Sequence, residues 1–149
     1  MNTHPSSQTC IADVEEAAEV RTVFVVDDTS DCREPLARLL RVVGHNPISI
    51  SSGAEALAHL SKQRPDVILL DLKMPVFDGH RLTAYWQLTE PDILRRVIVL
   101  SGYSRLTVDQ EPPTFARLAK PFDFPTLMKV VHECMADFGN LTSFGGIHV

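Results

Sequence analysis

Five short apolar runs alternate along the chain with longer stretches whose apolar residues recur every three or four positions. Three of the runs, Thr22–Asp27 (TVFVVD), Asp66–Asp71 (DVILLD) and Arg96–Leu100 (RVIVL), are rich in Val, Ile and Leu and do not alternate with polar residues. Such runs are too brief for an ordinary helix and match central strands covered on both faces. Pro47–Ser51 (PISIS) and Phe115–Ala119 (FARLA) read as the second and fifth strands. After the first run, Leu36, Leu39, Leu40 and Val43 fall at i, i+3, i+4 and i+7, one face of a helix. Pro35 sits near its first turn, where a missing N–H costs least, and Gly44 is its stop. Ser52-Gly53-Ala54-Glu55 has the form of a capping box. It opens a helix that carries Ala56, Leu57 and Leu60 and ends before Pro65. The stretch LKMPVFDGH is a loop marked by Pro75 and the turn pair Asp78-Gly79. A third helix runs from about His80 to Thr89 and stops by Pro91. Gly102–Thr114 holds at most a short helix, because Pro112 and Pro113 cut it off. The last helix starts near Phe124 or Pro125 and carries Leu127, Val130, Val131 and Cys134.

Strand and helix thus alternate five times, which implies a parallel sheet with helices on both faces. Right-handed crossovers leave few arrangements. The natural one is an α/β, flavodoxin-like (βα)5 doubly wound sheet of strand order 2-1-3-4-5, its fourth helix short or irregular. Ligands of such sheets bind beyond the C-terminal strand ends, at the switch between strands 1 and 3. The pattern divides the chain into a flexible leader (residues 1–20), one domain (21–137) and a flexible tail (138–149). Only a dozen residues follow Asp137, too few for a separate output module.

Composition narrows the function classes. A net charge of −5 without any basic cluster argues against nucleic-acid binding. No apolar run approaches the roughly 18–20 residues that span a bilayer. MNTHPSSQTC lacks the features of a secretion signal, so a cytoplasmic location is expected. Cys10, Cys32 and Cys134 are far apart with no CxxC, which suits buried or neutral roles. The six histidines show no metal spacing.

The chemistry lies where the strands end. Asp27 and Asp28 close the first run, Asp71 the third, Ser101 the fourth, and Lys120-Pro121 the fifth. Each alone reads as a cap, a solvated turn or a surface lysine. Together, at the ends of parallel strands, they converge. Carboxylates crowded at one edge repel unless a cation binds or a proton is retained. With oxygen ligands and no adjacent His or Cys, Mg²⁺ suits the site better than zinc. A carboxylate can attack phosphorus to give an aspartyl phosphate. Lys120 offers a point charge and Ser101 a hydroxyl donor for the phosphoryl oxygens. Pro121 is a candidate for a cis bond. Lys73, two residues past Asp71, is placed to touch the phosphoryl group or the attacking water, and Tyr103 to gate access.

This pattern resembles the receiver domain of two-component response regulators over about residues 21–137. Asp27 and Asp28 match the acidic pair, Asp71 the phosphoacceptor, Ser101 the Ser/Thr position and Lys120-Pro121-Phe122 the Lys-Pro-Phe motif. DLKMPVFDG matches the loop after the phosphoacceptor and SSGAEAL the start of the second helix. The resemblance implies that a histidine kinase or phosphotransfer protein delivers a phosphoryl group to Asp71. It implies Mg²⁺ held by Asp27, Asp28, Asp71 and the backbone carbonyl of Lys73. It also implies self-catalysed transfer and hydrolysis rather than turnover of other substrates. Output then passes by contact with an unidentified protein, without direct nucleic-acid or membrane binding; a homodimer is a possible assembly. One position departs from the family: Arg117 stands three residues before Lys120, where an aromatic switch residue is usual. Two other readings stay open. One is an interaction module that works without phosphorylation; the other is a small Mg²⁺-dependent phosphohydrolase, which would want an acid where Lys73 stands.

Overall fold

The strands β1 (Thr22–Val26), β2 (Asn46–Ile50), β3 (Val67–Asp71), β4 (Val97–Ser101) and β5 (Ala116–Ala119) lie parallel in one sheet. Their order is β2-β1-β3-β4-β5, the doubly wound order expected. The helices are α1 (Ser30–Val42), α2 (Gly53–Leu60), α3 (Gly79–Thr89) and α4 (Phe124–Ser143), with a 3₁₀ turn at Pro91–Arg96. This computed structural model describes residues 20–73, 79–101 and 113–143, with backbone alone from 138. The expected leader up to residue 19, residues 144–149 of the expected tail, Tyr103 and the expected fourth helix between Gly102 and Pro112 lie outside the described residues, whereas residues 138–143, expected in the flexible tail, continue α4 as helix.

The unbroken apolar runs have a direct explanation. Successive side chains of a strand point to opposite faces, and both faces here are covered. Phe24, Val26, Ile68, Leu70 and Val99 pack with Ala56, Leu82 and Trp86 on the α2–α3 side. Val23, Val25, Leu69, Ile98 and Leu100 pack with Leu36, Leu40, Leu127, Val131 and Cys134 on the α1–α4 side. Each fully buried Val, Leu, Ile or Phe side chain among them contributes roughly 1.5–3 kcal/mol. Cys134 is buried in the second layer, with its Sγ 3.7 Å from the Arg95 carbonyl. Burial pushes its thiol up to about 12, so it serves as a small apolar residue. Cys32 is exposed.

Local signals mostly acted as expected, with shifts that have physical causes. Gly44 ends α1 at φ +100°. The N–H of Gly44 bonds the Arg41 carbonyl and that of His45 the Leu40 carbonyl, a Schellman motif. Val43 is the C-cap and 42% exposed, so it does not continue the apolar face of Leu36 and Leu40. Pro35 falls in the second turn instead of the first, because the helix already begins after Thr29. Asp31 is exposed there, so water can reach the carbonyl that Pro35 leaves without an amide partner. Ser52 caps α2 through its Oγ, which accepts the Glu55 N–H at 3.1 Å. The Glu55 carboxylate reaches one residue further back than expected, accepting the Ser51 N–H at 2.7 Å and its hydroxyl at 2.8 Å. These bonds hold its carboxyl below the usual range. Asp123, unmarked in the sequence reading, caps α4 by accepting the Thr126 N–H at 2.7 Å. Phe115 lies just before β5 instead of inside it. Among the described residues, no helix is long and apolar enough to cross a membrane.

Candidate functional site

Register places the polar strand ends side by side. Val26 pairs with Leu70, so continuing that ladder sets Asp27 beside Asp71. Asp71 pairs with Leu100, and Ser101 with Ala119, one residue before Lys120. The Asp27 N–H bonds the Ile50 carbonyl at 3.0 Å, extending the β1–β2 ladder up to the site. One carboxylate oxygen from each of Asp27, Asp28 and Asp71 lies within 4.8 Å of the others. Asp27, Asp71 and Ser101 are buried, while Asp28 is open to solvent.

Lys120 faces two of the acids, its Nζ 3.6 Å from Asp71 Oδ1 and 3.8 Å from Asp27 Oδ2. Those distances give strong attraction without a tight hydrogen bond. Backbone contacts fix the rest. The Lys120 N–H bonds the Ser101 carbonyl at 2.7 Å, and the Lys120–Pro121 peptide is cis, as its position suggested. Asp71 Oδ1 accepts the Lys73 N–H at 3.2 Å, and Asp27 Oδ1 accepts the Thr29 N–H at 2.9 Å. Asp27 Oδ2 is buried with no hydrogen bond. Three converging carboxylates with a buried oxygen in need of a partner fit a hard, oxygen-preferring cation such as Mg²⁺. Arg117, on β5, brings its Nη2 to 3.5 Å from Ser101 Oγ.

Burial is the main reason that the Asp27 carboxyl is held above its ordinary range. Asp71 and Asp28 push it the same way, while the Thr29 N–H and Lys120 oppose them. A carboxyl whose pKa is raised by folding favours the folded state at acid pH. That contribution is lost as pH climbs from 3.8 through the folded value. Ionised Asp27 is therefore a burden at neutral pH without metal. Asp27→Asn is expected to raise stability in metal-free neutral buffer by on the order of 1 kcal/mol. The gain should vanish in acid. Urea unfolding at the two pH values checks this, and a lower neutral midpoint for the variant would contradict it.

Two residues at the site carried no signal in the sequence. Arg33, in α1, donates from Nη1 to the Asp27 carbonyl at 2.8 Å and so ties the helix to the acidic pair. Gly79, read only as part of a turn, presses against the backbone that bears Asp71. A Cβ on Gly79 would stand 2.7 Å from Leu72 Cα and 2.8 Å from the Asp71 carbonyl oxygen. Beside the acids opens a cavity of about 450 Å³. Asp31, Cys32, Pro35 and Leu36 of α1 line it together with Pro121, Phe122 and Phe124, and Asp27 and Lys120 of the site also border it.

The doubly wound sheet with acids, hydroxyl and lysine at one edge defines a receiver-type α/β domain. The response regulator receiver domain family matches residues 23–132, and the chain belongs to it. It is 31% identical over 114 residues to the sporulation initiation phosphotransferase F of Bacillus subtilis, covering 74% of this chain and 90% of that one. It is 39% identical over 123 residues to the transcriptional regulatory protein PrrA of Mycobacterium tuberculosis, covering 79% of this chain but 51% of the relative. Among solved structures, it is similar to the response regulator TrrA of Thermotoga maritima in complex with Mg²⁺-BeF. That match has a TM-score of 0.68 and 26% identity, and covers 76% of this chain and 98% of that one. The receiver domain of the Pseudomonas aeruginosa sensor histidine kinase PA1611, with magnesium in its active-site cleft, shares the fold. Its TM-score is 0.70 at 23% identity, with 79% and 99% covered.

Proposed function

We propose that this chain accepts a phosphoryl group on Asp71 from the phosphohistidine of a histidine kinase or phosphotransfer protein, and signals by protein contact. The observation that carries this is the Lys120 ammonium 3.6 Å from Asp71, with Asp27 and Asp28 oxygens within 4.8 Å of it. An Asp71 oxygen attacks phosphorus as the P–N bond of the donor breaks, and the departing imidazole nitrogen takes a proton from solvent. Lys120 offsets charge on one phosphoryl oxygen, and the Ser101 hydroxyl donates to another. Asp27, Asp28, Asp71 and the Lys73 carbonyl would hold Mg²⁺, which when bound supplies the positive charge that lets an anionic phosphate approach these acids. The same groups serve the later attack of water on the aspartyl phosphate, so the domain acts on itself and turns over no other substrate.

The cavity beside Asp27 supports delivery by a protein. Its walls are mostly apolar, it opens to solvent, and Asp27 and Lys120 line it. A helix presenting a phosphohistidine can rest on α1 and on Phe122 and Phe124 while its imidazole reaches Asp71. The relative that is nearly matched in length bears the name phosphotransferase, which favours a place within a relay.

Incubation with acetyl phosphate and Mg²⁺, followed by intact and peptide mass spectrometry, tests the reading. One phosphoryl group should appear on the peptide that contains Asp71. No gain, or a gain placed elsewhere, would remove it.

A further inference from the structure

The register of β4 and β5 puts Arg117 opposite Val99 and Ala119 opposite Ser101. Side chains two residues apart on paired strands share a sheet face, so Arg117 and Ser101 lie on the same side. From there the guanidinium reaches along the strand to within 3.5 Å of Ser101 Oγ. A serine hydroxyl has one hydrogen to give and two lone pairs to offer. With Arg117 donating to the oxygen, the hydroxyl hydrogen is turned to an acceptor elsewhere, and the neighbouring cation polarises it as a donor.

Charge balance gives this contact a consequence. Three carboxylates meet Lys120 at the edge, and one divalent cation, when bound, would complete their charge balance. Phosphorylation of Asp71 replaces one carboxylate charge with about two on the phosphoryl group. One negative charge is then in excess. The Arg117 guanidinium, joined to the edge through Ser101, can offset it. Before phosphorylation the same guanidinium opposes the entry of a divalent cation.

We propose that Arg117 is a positioning residue that works through Ser101 to stabilise the phosphorylated state at the expense of cation affinity in the unphosphorylated one. This rests on the phosphoacceptor reading of Asp71 and adds a chain-specific charge to it. The prediction has two opposite signs, which simple damage to the fold would not produce.

The test uses the full chain and two bare probes, Mg²⁺ alone and beryllofluoride at saturating Mg²⁺ as a phosphoryl mimic, both followed by calorimetry. In Arg117→Met, beryllofluoride binding should weaken about three- to tenfold, the size expected of a charge a few ångströms away in partly screened surroundings. Mg²⁺ binding should tighten about two- to threefold for the same reason. Arg117→Lys should stay within about twofold of the wild type for both probes, because it keeps the charge. In a Ser101→Ala background, Arg117→Met should lose most of its effect on beryllofluoride. Joint weakening of both probes, or no change in either, overturns the proposal. Wild-type protein that takes no phosphoryl group and binds no beryllofluoride removes the phosphoacceptor reading itself, which separates the two failures.

Discussion

Asp71→Asn is expected to leave a folded protein that takes up no detectable phosphoryl group from acetyl phosphate. The substitution preserves shape and removes one property. An amide oxygen can still accept the Lys73 N–H, now made at 3.2 Å, so the end of β3 keeps its local geometry. The amide is not a nucleophile toward phosphorus, and no neighbouring carboxylate replaces it. Asp27 is pinned by the Thr29 N–H and sits deeper, and Asp28 belongs to the loop beyond β1. Lys120 loses its partner at 3.6 Å and keeps the one at 3.8 Å. Two of three carboxylates remain, so Mg²⁺ binding should weaken about tenfold or more. Stability in metal-free buffer should not fall, since two buried acids no longer repel. Intact mass, calorimetry and thermal unfolding read these three effects separately. Continued phosphorylation of the variant would place the acceptor elsewhere.

Gly79→Ala is expected to destabilise the domain by about 3 kcal/mol and to slow phosphorylation several-fold. Helix propensity alone predicts the reverse, because alanine is favoured over glycine in a helix by about 1 kcal/mol. Space decides the sign. The new methyl would meet Leu72 Cα at 2.7 Å and the Asp71 carbonyl oxygen at 2.8 Å. Both are backbone atoms of the segment that bears Asp71. They cannot swing aside as a side-chain tip can, so either α3 lifts from the sheet or the end of β3 moves. The Gly79 N–H bonds the Leu72 carbonyl at 3.0 Å, which couples the two. Urea unfolding gives the stability change, and the initial rate with acetyl phosphate gives the displacement of Asp71. A variant as stable as the wild type would refute the close contact.

These two residues also mark how far the sequence could be read. Asp71 was legible because it ends a run, VILLD, whose every residue is buried, and parallel pairing turns a shared place in the sequence pattern into a shared place in space. The same logic exposed Asp27, Asp28, Ser101 and Lys120. Gly79 and Arg33 were not legible, because their roles lie in contacts with Leu72 and with the Asp27 carbonyl. Periodicity carries no record of where the backbone of another element passes. Pro35 was misplaced by a turn for a related reason: the helix start depends on where the preceding loop releases the chain. Arg117 was recognised as a departure from the family, but its reach to Ser101 became visible only through the register of β5.

The sheet sends alternate side chains into two layers that share backbone and little else. The cavity next to Asp27 is lined mostly by α1 and by the segment from Pro121 to Phe124, with Asp27, Leu100 and Lys120 contributed by the strand ends. On the proposed docking of a phosphohistidine donor there, duplicated copies of such a gene would diverge in donor recognition through substitutions in α1 and at Phe122 and Phe124. Trp86 and Leu82, on the opposite layer, need not change with them. Insulation between parallel signalling lines can be acquired on one side of the molecule while the other holds the acids in register.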